Sequence, residues 1–133
     1  VFTLTANTTY EVEGVYYISK SGTTCTTSLL FPLTTAVATF IGLNVRAFNS
    51  AANTTTATLA GTWINQLTAT VINATASGEV AITFKGLLRI TTGGTVTPQI
   101  QFSAAPTTPL MKVGSYIKFT PIGTTQNVQG AFA

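Results

Sequence analysis

Apolar and polar residues alternate with a period of two along most of the chain, the pattern of strands with one buried and one wet face. Phe2 and Leu4 alternate with Thr3 and Thr5. Tyr10, Val12, Tyr16 and Ile18 fall on one face of a long segment, with Glu11, Glu13, Tyr17 and Ser19 on the other. Val37, Ile41, Leu43 and Val45 mark a second long segment, which also carries Phe40 and Phe48. In a third, Val80, Ile82, Phe84, Leu88 and Ile90 alternate with Thr83, Lys85, Leu87 and Arg89. Val96, Ile100 and Phe102, then Val113, Ile117 and Phe119, continue the pattern. No long stretch places apolar residues at the three- and four-residue spacing of an amphipathic helix.

Between these runs stand residues that tolerate tight backbone conformations: Asn7-Thr8-Thr9, Ser21-Gly22, Asn49-Ser50, Ser77-Gly78 and Gly93-Gly94. Gly93-Gly94, between Ile90 and Val96, predicts a hairpin. Pro98 has no N–H to give a ladder, so the strand around it is expected at a sheet edge or a bulge. About eight short strands in one chain predict an all-β fold, a sandwich or barrel. The domain is expected to span residues 1–122, with 123–133 a strand-free tail whose Phe132 is able to dock.

Composition changes the picture. Hydrophobic residues make up 45% of the chain and charged residues only 7%, against about 25% in ordinary globular domains. Threonine, at roughly a fifth of the residues, wets a surface without charge. It does not repel neighbouring molecules, so part of the exterior is expected to be buried against partner subunits. The apolar runs are too short for a spanning helix of about 20 residues. A small transmembrane barrel would also alternate, but paired aromatic girdles are missing, so no membrane insertion is expected.

Candidate chemistry is sparse. The chain has no His and its only acids are Glu11, Glu13 and Glu79. This excludes a Ser-His-Asp or Cys-His arrangement and leaves too few ligands for zinc. No enzymatic activity and no metal or other cofactor is expected. Glu11 and Glu13, two apart on one strand face, lie about 7 Å from each other, a spacing a paired-carboxylate glycosidase could use. The plainer reading is a solvated strand face. Cys25, the single cysteine, has no internal partner and nothing nearby in sequence to lower its pKa. The net charge of +3 invites a nucleic-acid reading. Lys85 and Arg89 share a face, but Lys20, Arg46, Lys112 and Lys118 are scattered without interleaved aromatics, so no nucleic-acid partner is expected.

Several phrases carry a resemblance. They are Phe2-Thr-Leu-Thr-Ala-Asn-Thr-Thr-Tyr-Glu-Val-Glu-Gly14 with Tyr16-Tyr17-Ile18, Thr27-Ser-Leu-Leu-Phe31, and Gly86-Leu-Leu-Arg-Ile90 with Gly93-Gly94-Thr95. Pro98-Gln-Ile-Gln-Phe-Ser-Ala-Ala-Pro106 and Gly114-Ser-Tyr-Ile-Lys-Phe-Thr-Pro-Ile-Gly123 complete it. Together they resemble a domain of tailed-phage virion surface proteins. The resemblance implies an antiparallel jelly-roll sandwich similar to C1q and tumour-necrosis-factor heads, assembled as a homotrimer on the particle. It implies a capsid decoration, or cement, role beside the major capsid protein. The alternative is a receptor-binding tip on a fibre shaft, recognising host surface polysaccharide. Tyr17, Phe119 and Phe132 are the candidate subunit contacts. Asn53, Trp63 and Pro106 are the candidate ligand-loop positions, within or near the irregular stretches Asn49–Thr56 and Ala104–Leu110.

Overall fold

The threonine-rich, β-branched segments form strands over most of the alternating runs; Val113, in line with Ile117 and Phe119 in the sequence pattern, lies in a turn instead. The computed structural model describes residues 1–22, 25–49, 60–62, 70–75 and 78–124. Among these lie β1 (Phe2–Leu4), β2 (Thr8–Lys20), β3 (Cys25–Leu30), β4 (Leu33–Thr34), β5 (Val37–Asn49) and β6 (Ala60–Thr62). There follow β7 (Thr70–Thr75), β8 (Gly78–Thr92), β9 (Gly94–Val96), β10 (Gln99–Phe102), β11 (Leu110–Met111) and β12 (Tyr116–Thr124). The described residues contain no helix, and none therefore long and apolar enough to cross a membrane.

The largest sheet is built on β2, β8 and β5, paired antiparallel, with β6 beyond β5 and both β11 and β12 along the other side of β2. Two three-stranded sheets, β10-β3-β7 and β1-β9-β4, complete the ladders, all antiparallel. Tyr10, Val12, Tyr16 and Ile18 of β2 are buried with Val80, Ile82, Phe84, Leu88 and Ile90 of β8 and Leu43, Val45 and Ala47 of β5. Leu4, Leu29, Phe31 and Val96 from the smaller sheets join the same cluster. One core between the inner faces of opposed sheets is consistent with a β-sandwich. The opposite face of the large sheet carries Glu11, Glu13, Asn44, Arg46, Thr83, Lys85 and Arg89.

Three local features depart from simple alternation and turn signals. Val37 does not share a face with Ile41, Leu43 and Val45. The register steps from Ala38↔Ile90 to Phe40↔Arg89, which leaves Thr39 as an extra residue. Such a bulge exchanges the two faces of a strand, so Ala36 is buried before it and Val37 is exposed at 49%. Gly93-Gly94 makes no hairpin either: β9 pairs with β1 and β4, not with β8. The glycines serve a crossing between sheets. A Cβ on Gly94 would lie 2.2 Å from the Ala36 nitrogen and 2.5 Å from the Thr34 oxygen. Finally, β12 runs through residues 123 and 124, because Thr8 and Thr9 of β2 pair with Thr124 and Gly123. Pro98 falls between β9 and β10, where the chain changes sheet, and β10 pairs with β3 alone among the described residues.

Candidate functional site

The side of β2 away from β8 is where the sequence departs most from an ordinary soluble surface. β12 pairs with β2 from Thr8 to Val15, and β11 pairs with Ile18 and Ser19. Between them, Lys112 to Ser115 faces only Tyr16 and Tyr17, so four residues oppose two. The extra length is held by Tyr17. Its carbonyl accepts from the Lys112 N–H at 2.8 Å, and its own N–H donates to Ser115 Oγ at 2.9 Å. Gly114, at φ +92°, takes the left-handed conformation that closes the turn. The turn throws Val113 fully into solvent, at 102% exposure.

Eight large hydrophobic residues are exposed among the described residues, and six of them belong here: Tyr17, Leu110, Met111, Val113, Tyr116 and Ile122. Tyr116 lies opposite Val15, two residues from Tyr17. The inner side of the same strand is different. Ile117 and Phe119 pack against the core, and the Phe119 ring stands 4.7 Å from Phe2 and 6.5 Å from Phe31.

Of the candidate subunit contacts, Tyr17 is thus exposed within the apolar edge, while Phe119 is half-buried inside its own subunit. Phe132 lies outside the described residues, as do Asn53 and Trp63. Pro106 is half-buried in the connection from β10 to β11. That connection is tied to the β2 terminus: the Thr107 N–H donates to the Ser21 carbonyl at 2.9 Å, and the Ser21 and Thr108 hydroxyls bond at 2.8 Å. Leu110 and Met111 were not singled out from sequence, whereas Tyr116 stood with Tyr17 and Trp63 as an aromatic suited to sugar stacking or to a core or subunit contact. The signal of Leu110 and Met111 was an apolar run interrupted by Lys112 and Gly114, which reads like any other strand.

The three glutamates each meet a lysine. Glu11 meets Lys85 at 2.8 Å, Glu13 meets Lys118 at 3.6 Å, and Glu79 meets Lys112. The Lys85 hydrogen bond and charge hold the Glu11 carboxyl below its usual range, and the same contact raises Lys85. Arg89 sits over the Phe40 ring at 5.5 Å. Cys25 is buried beside Lys20, whose Nζ approaches Sγ at 3.4 Å. Among the described residues no group of three His, Cys, Asp or Glu side chains is placed to hold a metal ion. No family model, curated protein or solved structure matches the chain.

Proposed function

We propose that this chain is a non-enzymatic structural protein of a virion surface, a trimeric capsid decoration domain that reinforces the head. The observation that carries the assembly reading is the apolar edge formed by β11, β12 and the turn at Val113. Apolar side chains concentrated along a sheet edge are an association hazard for a lone chain. A closed symmetric contact covers them with a finite number of copies. The low charge of the whole sequence supports the same reading. The three-fold symmetry and the virion setting draw on the resemblance of Phe2–Gly123 to tailed-phage surface domains.

The non-enzymatic part has its own support. A carboxylate pair for glycoside hydrolysis needs one member with a raised pKa, able to act as an acid. Lys85 moves Glu11 the other way, so Glu11 does not fit the acid's part, and Glu13 meets Lys118 at 3.6 Å. Size measurement by light scattering is expected to return three copies per particle, and a stable monomer at micromolar concentration would overturn the trimer. Heads lacking the protein are expected to lose resistance to heat and osmotic shock, and unchanged resistance would remove the cement role. A fibre-tip reading is favoured by one observation: the 104–109 connection is pinned at Ser21 while Thr107 and Thr108 stay exposed. It requires purified protein to adsorb to host cells or to block infection.

A further inference from the structure

We propose that Asn44, Arg46, Thr83 and Lys85, on the outer face of the large sheet, form a binding site for a carboxylate-bearing sugar. These residues line an open groove of about 450 Å³, within the size range of small-molecule clefts. β5 and β8 set them as a block, with Asn44 opposite Lys85 and Arg46 opposite Thr83. Opposed Cβ atoms in such a block are about 5 Å apart, and neighbours along a strand about 7 Å. One ligand ring can therefore reach all four.

Charge points to the ligand class. The three glutamate side chains of the chain are engaged by Lys85, Lys118 and Lys112. Arg46 has no ion-pair partner among the described residues. Locally, Arg46, Lys85 and Lys118 contribute three positive charges and Glu11 and Glu13 two negative, which leaves one net positive charge for an anion. A guanidinium presents a planar fork that fits a carboxylate with two parallel bonds. The Lys85 ammonium has three donors, of which Glu11 takes one. The Asn44 amide and the Thr83 hydroxyl both donate and accept, which suits the neutral hydroxyls of a sugar. A nucleic-acid strand would need a longer basic track with aromatic stacking positions, and the groove lining has no exposed aromatic ring. The inference stands on the groove alone and holds wherever the domain sits in an assembly.

The test is titration of the full chain with trigalacturonate, followed by calorimetry and by the Asn44 side-chain amide resonance. Binding is expected to saturate and to weaken about tenfold or more in Arg46→Gln, the loss of a charged hydrogen bond. Asn44→Ala is a second variant with the same expected direction, should Arg46→Gln fail to fold. Lys118→Gln, on the same face but outside the groove, is expected to bind as the parent does. The proposal is overturned by absence of saturable binding, or by equal affinity for the neutral galactose trimer. It is equally overturned if tripolyphosphate binds as tightly, or if Lys118→Gln weakens binding as much as Arg46→Gln.

Discussion

Lys20 is a cationic side chain in the interior, 3% exposed and with no ion-pair partner among the described residues. Burying such a group is costly unless its donors are satisfied. Its Nζ donates to the Cys25 carbonyl at 2.8 Å and to Thr27 Oγ1 at 3.0 Å, approaches Cys25 Sγ at 3.4 Å, and lies 5.7 Å from the Phe102 ring centre. The end of β2 is thereby fastened to the start of β3. Thr27→Val keeps the side-chain shape and removes one acceptor, so denaturant unfolding is expected to show a loss of about 1–3 kcal/mol. In a Lys20→Met background the same change is expected to cost less, since no charge is then stranded, and strict additivity would refute the coupling. Tyr16 gives a second residue-scale expectation. Burial raises its phenol from the ordinary 10.0 to about 12. Below pH 10 both folded and unfolded chains keep the proton. From there to about 12 the unfolded chain ionises first, so stability falls as pH rises. Tyr16→Phe is expected to flatten that decline in alkaline unfolding curves, and an unchanged slope would contradict it.

The elements show which physical signals reach the sequence. The alternation in β2 and β8 was legible because both pair without a shift from Thr8↔Ile90 to Lys20↔Gly78, so parity alone assigns each side chain a face. The bulge at Thr39 was not legible, since an extra residue leaves the composition of β5 unchanged and reverses only its parity. Gly93-Gly94 was legible as special but misread, because close backbone approach and a tight turn select the same residue. Of the candidate contacts, Tyr17 was visible as an aromatic on a wet face. Phe119, equally aromatic, turns inward because it falls on the inner parity of β12, opposite Val12. Gly14 belongs to the unread class. It faces the core between Val12 and Tyr16, and the Phe84 ring of the neighbouring strand lies over it. A Cβ there would stand 2.4 Å from Phe84 Cζ and 2.6 Å from the Tyr116 carbonyl oxygen. Gly14→Ala is therefore expected to destabilise by about 1–3 kcal/mol, the range for overpacking. The Phe84→Leu variant should absorb part of that loss, because the ring it removes is the nearer obstacle.

Across the whole molecule the few charges are distributed unevenly. Lys20 is buried, and Lys112 with Glu79 is neutral as a pair. Lys85, Arg89, Arg46 and Lys118 against Glu11 and Glu13 leave two net positive charges on the outer face of the large sheet, which completes the +3 of the chain. The apolar edge at β11 and β12 carries only Lys112 and Lys118, each already paired. Electrostatic repulsion between copies is therefore weak where the apolar residues concentrate, and covering them favours association. An exposed apolar residue elsewhere, such as Val37, supplies the control. Val113→Asp with Tyr116→Asp places two charges in the edge without touching the core. The double variant is expected to run as a monomer in light scattering with a far-ultraviolet dichroism spectrum like the parent's. Val37→Asp, equally a charge on an exposed apolar position, is expected to leave the oligomer intact. If both variants dissociate alike, surface hydrophobicity in general drives association. If neither does, the assembly contact lies away from β11 and β12, and the exposed edge has lost its proposed role.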